Sequence, residues 1–254
     1  MARIVAGTKG LSGLRQSGAL RVLFPRDVPG RTLAVTLNTS GGVTGGDMFQ
    51  IEAEAEQGAQ LALTTQAAER IYRAQPGETG TVETRLHIGP GARLDWLPQE
   101  TILFNGSCLR RRLSVDMARD ATFLMVEPLV FGRRAMGETL TDISLADRVD
   151  IRRAGELIFA DATRITGNLA EQMQGHAIGA GATAMASLVF ATPGAEACLE
   201  RIRARLPETG GASLIRPDLI FVRLLAADGF DLRASLLPLL TDLYGGALPR
   251  TWML

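Results

Sequence analysis

Between about Gln50 and Ala160, apolar and polar positions alternate in paired runs, each pair divided by a tight turn. The runs read "FQIEAEAEQGAQLALTTQ", "TRLHIGPGARLDWLPQE", "RLSVDMARDATFLMVEP" and "RVDIRRAGELIFADAT". Their turn positions, Gly58, Gly91, Asp120 and Gly155, recur at about 30 to 35 residues, the spacing of stacked supersecondary repeats. Within the first run Ile51, Ala53 and Ala55 alternate with Glu52, Glu54 and Glu56, which predicts a half-buried strand with a solvated acidic face. Second runs such as "LALTT" and "FLMVEPLVF" are apolar enough to be buried on both sides. Units of this kind can bury their apolar faces only against one another. The pattern therefore predicts a mainly-β, solenoid-like body of stacked strand-turn-strand units.

The pattern changes after about Asn168. "ATPGAEACLERIRARLPE" offers Thr192 as an N-cap, Pro193 at the first helical position, and Ala195, Leu199, Ile202 and Leu206 as one stripe, predicting a helix from about 193 to 206. "DLRASLLPLLTDLYGG" gives a second stripe through Leu232, Leu236, Leu239 and Leu243, ended by Gly245, with Pro238 expected to kink or divide it. "LIFVRLL" between them reads as a strand. The expected organisation is one domain over residues 1–254, with a β-rich body to about 190 and a small α+β part from about 191 to 254 carrying about two helices.

Composition adds mainly exclusions. The chain has 254 residues, enough to bury roughly three quarters of its unfolded surface without staples. Its 27 Lys+Arg balance 27 Asp+Glu, so net charge suggests neither nucleic acid nor an anionic membrane as a partner. The two cysteines, Cys108 and Cys198, form no C-x-x-C pair and fit a reducing compartment. No apolar run approaches 18 residues and the first segment has no continuous apolar core of a signal peptide, so a cytoplasmic protein is expected.

The stretch "NTSGGVTGGD" raises the question of phosphate binding. Gly46 is followed by Asp47 rather than Lys, and neither Walker A nor G-x-G-x-x-G spacing is met. The glycines read instead as positions of positive φ or close strand approach, with Asp47 closing the turn onto a strand at Met48. There is no nucleophile elbow, and His87 and His176 belong to no helical ligand pair, so a zinc or nickel cage from this chain alone is not expected. Carboxylates remain: Asp47, Asp95, Glu100, Glu127 and Glu138 lie in or beside strand and turn motifs. Glu100 and Glu127 sit among apolar residues, where burial requires a partner, and the plainest partner is one of the many arginines.

Taken in order, "NTSGGVTGGD", "LTTQAAERIYRA", "GARLDWLPQETILFNGS", "VFGRRAMGET" and "LPRTWML" resemble the urease accessory protein family UreD, called UreH in some bacteria. The resemblance covers roughly Leu37 to the C-terminus. It implies a β-helix-like body and no catalysis by the chain itself. It also implies a scaffold that binds UreF and, through it, the GTPase UreG, and docks on apo-urease so that nickel reaches the active site in transit, with no permanently bound cofactor. Asp47, Glu100 and Glu138 match acidic positions in the family's motifs and become candidates for a transient nickel path. Oxygen ligands suit transit better than imidazole or thiolate, which hold the ion. Tyr72, Arg73 and Trp252 have the residue types of interface anchors and are expected to face UreF or urease, whereas Trp96, central in an alternating run, is expected in the core.

Two departures stand beside the resemblance: "VLFPRDVPG" replaces the longer lead usual in the family, and Pro238 is unexpected in the last helix. The rival from another class is a β-solenoid carbohydrate-active enzyme using paired carboxylates. It would call for rows of stacking aromatics, and Phe, Trp and Tyr make up only 5% of this chain.

Overall fold

The computed structural model describes residues 1–26, 30–133 and 136–253. Parts of three of the quoted motifs therefore lie outside the described residues: 27–29 of "VLFPRDVPG", 134–135 of "VFGRRAMGET" and the final leucine of "LPRTWML". The chain opens with β1 (Ala2–Gly7), β2 (Gly10–Gln16), β3 (Leu20–Leu23) and β4 (Thr32–Asn38). There follow β5 (Met48–Ala55), β6 (Gln60–Thr65), β7 (Glu69–Ile71), β8 (Gly80–Ile88), β9 (Arg93–Leu97), β10 (Thr101–Leu103), β11 (Cys108–Met117) and β12 (Thr122–Phe131). Then come β13 (Ile143–Arg153), β14 (Glu156–Gly167), helix α1 (Leu169–Gln172), β15 (Ala184–Ala191), helix α2 (Leu199–Arg203), β16 (Gly210–Arg216), β17 (Leu219–Ala226) and helix α3 (Gly229–Tyr244).

Two sheets face each other. One runs β14-β13-β11-β8-β5-β1-β2; the other runs β16-β17-β15-β12-β9-β6-β4-β3, with the short β7 and β10 joined beside it. The predicted units are three coils: β5 turns into β6, β8 into β9 and β11 into β12, the first member of each pair in one sheet and the second in the other. Neighbouring coils pair in parallel within each sheet, as in β5 with β8 and β6 with β9. That is the solenoid arrangement expected from the repeat. The fourth unit differs: β14 folds back antiparallel on β13 in the same sheet and so makes a hairpin at the end of the stack. Gly58 and Gly91 take positive φ in their turns, whereas the third turn, closed by Ala121 N–H on the Ala118 carbonyl, is made around Asp120 without a left-handed residue.

Alternation divides the core. Inward residues of the coils toward the turn end, among them Ile4, Leu61, Leu94 and Phe123, form one apolar cluster between the sheets, which also takes in Trp96 as expected. Leu103, Leu109, Leu129 and Leu145 belong to a second cluster, nearer the loop end. The outer face of the larger sheet is covered by α3, whose Leu232, Leu236, Leu239 and Leu243 form a third cluster with Leu124, Val126 and Val222.

The helices correct the sequence reading in part. The stretch expected as one helix from 193 to 206 is a 3-10 turn at Ala195–Cys198 running into the short α2, and the Thr192 hydroxyl pairs with Thr122 rather than capping a helix. The last helix ends at Gly245 in the left-handed conformation as expected, but Pro238 neither divides nor ends it. Its C-terminal carbonyls are received by guanidinium groups from the sheet below: Arg93 donates to the Leu243 carbonyl and Arg31 to that of Tyr244. Cations at a helix C-terminus are favourable to the macrodipole.

Candidate functional site

Because β4, β6, β9 and β12 all run toward the same end, their long connections to β5, β8, β11 and β13 gather there, and the tight turns gather at the other. Asp47, Tyr72, Arg73 and Glu138 all belong to this loop end. The two glycine pairs are explained one residue at a time. Gly41 and Gly46 take φ of 82° and 81°, while a Cβ at Gly42 would stand 2.5 Å from the Arg70 carbonyl and one at Gly45 would stand 2.5 Å from Glu78 Cβ. Each pair therefore combines one positive φ with one close approach.

Asp47 closes this loop. Its Oδ2 accepts from Thr44 N–H at 2.9 Å and its own N–H donates to the Thr44 carbonyl, so β5 begins at Met48 as expected. The Thr44 hydroxyl in turn donates to the Arg73 carbonyl. Tyr72 is half-buried, donating its hydroxyl to the Gly41 carbonyl at 3.0 Å and meeting Phe104 edge to face at 5.0 Å. Arg73 is exposed and has no ion-pair partner among the described residues.

Glu138 stands across from them. It accepts from the guanidinium and the backbone N–H of Arg133 and from Asn105 N–H. Those hydrogen bonds, led by that of the Arg133 side chain, hold its carboxyl below the usual range. Arg133 also lies over the Phe104 ring at 4.0 Å. A cleft of about 610 Å³ opens between these groups, lined by Tyr72, Arg73, Phe104, Asn105, Arg133, Glu138 and Thr139. The structure thus brings Tyr72, Arg73 and Glu138 together, with Asp47 linked to Arg73 through Thr44. Phe104, Asn105 and Thr139 were not singled out from sequence. Asn105-Gly106 carried a turn signal that would have found one of them: the Asn105 Oδ1 receives the N–H groups of Thr141 and Asp142, and Gly106 has φ of 79°.

Glu100 and Trp252 lie elsewhere. Glu100 is held by two bonds from Arg233 of α3, at 3.0 and 2.9 Å. The expectation that Trp252 faces a partner is corrected: it is fully buried in the cluster beneath α3, donates Nε1–H to the Leu97 carbonyl at 3.0 Å, and has Arg233 over its ring. An indole next to the chain end can be core because the chain returns under α3 after Gly245.

A second polar constellation lies inside. Arg111, between Leu109 and Leu113 on β11, and Asp147, between Leu145 and Val149 on β13, point inward from one sheet, and Glu127, between Met125 and Leu129 on β12, points inward from the other. They form a charged layer separating the two interior apolar clusters. Arg111 donates through Nε to Asp147 at 3.0 Å, through Nη1 to Thr101, and meets Glu127 Oε2 at 3.1 Å; Trp96 Nε1–H donates to Glu127 Oε1 at 3.1 Å. Burial raises the Glu127 pKa to about 7, against the attraction of Arg111 and with further upward push from the Asp147 charge. Two carboxylates share one guanidinium, so Arg111 offsets the burial of Glu127 only in part. Asp95 is likewise buried, on the outer face of its sheet, with its pKa raised by desolvation despite the ion pair to Arg93 at 2.8 Å. The arginine partners expected for Glu100 and Glu127 are thus Arg233 and Arg111.

Among the described residues, no three His, Cys, Asp or Glu side chains come together as metal ligands, and no helix is long and apolar enough to cross a membrane. With the geometry in place, comparison with known proteins gives a consistent result. The sequence model for the family described as UreD urease accessory protein matches residues 2–253. A urease accessory protein UreD of Ruegeria pomeroyi is 52% identical over 250 residues, covering 98% of this chain and 97% of that protein. The UreD proteins of Roseobacter denitrificans and Agrobacterium fabrum are 49% and 42% identical, covering 98% and 99% of this chain and 91% and 88% of their own lengths.

Proposed function

The chain belongs to the UreD family of urease accessory proteins, and from that premise we propose that it acts in urease maturation as a non-catalytic scaffold, binding UreF and through it UreG, and docking on apo-urease so that nickel reaches the active site. The match along essentially the whole chain carries this reading, since it includes both the coil body and the loop end. A location in the cytoplasm goes with it. The carbohydrate-enzyme alternative has no further support.

A division of labour along the chain supports this reading. Stacked coils hold the loop connections in fixed order, and those connections present Tyr72 and Arg73 on an open cleft where a partner can reach them. Nickel is cargo in this reading, and Asp47, Glu100 and Glu138 remain its proposed waypoints. Each already has a partner in the fold, so a passing ion has to compete with Thr44 N–H, Arg233 or Arg133 in turn. A site whose ligands are reclaimed by an arginine releases its metal readily.

The test is co-expression of UreF, UreG and apo-urease with and without this chain, followed by nickel content and urease activity. Loss of both on omission is expected. Full activity without the chain would overturn the reading, and full activity with alanine at all three carboxylates would overturn the path while leaving the scaffold intact.

A further inference from the structure

Each sheet has two outer strands, and the four are not equally closed. On one flank β3 has 4 residues, and β2 carries Gly10 and Gly13 and pairs with β1 through a register shift. On the other flank β16 is shifted in register against β17, and Arg203 of α2 donates through Nε and Nη2 to its Ala212 carbonyl, each at 3.2 Å. The outer strand β14 lacks such cover. It runs for 12 residues without a proline, and among the described residues it pairs with β13 alone. A long open edge of this kind is a template for another strand.

Register shows which backbone groups of β14 are free. Ser144 of β13 stands opposite Thr166 and donates its N–H to the Ser107 carbonyl, away from β14. The Thr166 carbonyl also points away from the pair, and Gln172 Nε2 donates to it at 2.7 Å. Backbone groups alternate in direction along a strand, so Ala160, Ala162 and Arg164 turn their N–H and carbonyl groups outward as well. All three residues are exposed. The bulge between Ile151 and Arg152 falls before Phe159 of β14 and leaves this stretch regular.

These three residues are spaced evenly about Ala162. A second copy brought up antiparallel, with a two-fold axis normal to the sheet at Ala162, sets Ala162 against itself and Ala160 against Arg164, so that the outward groups answer one another. On the inner face the same register sets Asp161 opposite Thr163 and Phe159 opposite Ile165, a carboxylate against a hydroxyl and apolar against apolar. Neighbouring registers fail. Centring on Asp161 or on Arg164 opposes like charges. Centring on Thr163 sets Ala160 against Thr166, whose carbonyl Gln172 already holds, and centring on Ala160 brings the bulge into the pairing.

We propose that β14 pairs with β14 of a second copy in this register, joining two seven-stranded sheets into one continuous sheet. Because the pairing is antiparallel, the loop ends of the two copies point in opposite directions, and the dimer presents two separate clefts. The inference comes from the strand edge and does not depend on the maturation role.

The test is the mass of the purified full chain over a concentration series in sedimentation equilibrium, for wild type, Ala162→Lys and Ala162→Glu. Both substitutions are at an exposed position and set like charges against each other across the two-fold axis. Wild type is expected to pass from monomer to dimer mass. Each variant alone should weaken the dimer about fivefold or more, and an equal mixture of the two should recover it because Lys then faces Glu. Ala162→Cys gives a second measurement. Opposed residues at a hydrogen-bonded antiparallel position lie about 5.5 Å apart at Cα, within disulfide reach, so oxidation should cross-link this variant as a dimer. Oxidised wild type, with Cys108 and Cys198 alone, should not cross-link in this way. Wild type that stays monomeric throughout the series would overturn the proposal, as would a dimer that neither charged variant weakens. Should the charged variants lose their fold, the cross-link decides, and its absence overturns the pairing.

Discussion

The two ends of the coil stack are built from the same strands and are opposite in kind. At one end the connections 56–59, 89–92 and 118–121 are four residues each, closed by hydrogen bonds from Ala59, Ala92 and Ala121 to the carbonyls three residues before. At the other end the chain spends residues 39–47, 66–79, 98–107, 132–142 and 168–183, including β7, β10 and α1, on crossing between the same two sheets. The short turns are enough to keep the coils in register over their apolar cluster. The additional length is therefore not required by the solenoid. It supplies the glycine close approaches, the Arg133–Glu138 pair and the cleft beside Tyr72, which makes the loop end the place where the proposed site residues gather.

The boundary between these regions is the charged layer of Arg111, Glu127 and Asp147, and the largest predicted effect lies there. Arg111→Ala leaves two carboxylates buried without their cation and is expected to destabilise the chain by about 3–5 kcal/mol in denaturant titration. Replacing all three residues by leucine or methionine together should recover most of that loss by merging the two clusters. If the single variant is as stable as wild type, the layer is not a structural boundary and the comparison of ends loses its physical basis.

Next in size is a pH effect from Glu127. With its folded pKa raised to about 7, above the ordinary 4.5, the folded state binds the proton more tightly than the unfolded chain does. The stabilisation from this group is therefore complete below about pH 4.5 and is lost as pH rises through 7, at up to about 1.4 kcal/mol per pH unit between those values. Glu127→Gln, which retains an acceptor for Trp96, should remove this contribution. Its stability relative to wild type should rise between pH 5 and pH 8. A difference independent of pH would show that Glu127 remains ionised beside Arg111 throughout.

Glycines separate the two ends directly. Gly42→Ala places a Cβ against the Tyr72 ring and the Arg70 carbonyl, the second a backbone group that moves only with its strand, and should cost about 1–3 kcal/mol and loosen the cleft beside Tyr72. Gly58→Ala at the turn end meets only Thr8 at 3.5 Å, so its cost is the positive φ alone, about 1 kcal/mol, with no effect on partner binding. Binding of UreF or apo-urease by the two variants checks the contrast: equal losses would mean that the loop end is not specially arranged.

Sequence disclosed these regions unequally, for a physical reason. Period-two alternation and turn spacing are local, so the coils, the turns at Gly58 and Gly91 and the last helical stripe could be read. Which sheet a strand joins is not local, and the β13–β14 hairpin looks in sequence like another coil. The helix expected from Thr192 was cut short because its first turn tightened into a 3-10 form. Glu127 could be flagged as a costly buried carboxylate, but its partner Arg111 lies 16 residues earlier on the opposite sheet. The alternation of Leu109, Arg111 and Leu113 held the clue, since it places the arginine on the apolar face. Of the site residues named from sequence, Tyr72, Arg73 and Glu138 converge on one cleft. Trp252 does not, because residue type alone does not distinguish an interface anchor from a core indole.

The smallest effect sharpens the comparison most, because it asks whether a loop-end carboxylate is structural or functional. Asp47 accepts from Thr44 N–H and so does at the loop end what a backbone carbonyl does in each short turn. Asp47→Ala removes that acceptor from a half-exposed site and should cost about 0.5–1.5 kcal/mol. Asp47→Asn keeps an oxygen for the same N–H and should recover most of it. Urease activation measured on both variants then separates the roles. If Asp47 only closes the loop, Asn is close to wild type and Ala is mildly impaired, in step with stability. If Asp47 passes nickel, Asn fails as Ala does although its fold is intact, because the amide lacks the charge that draws a divalent cation.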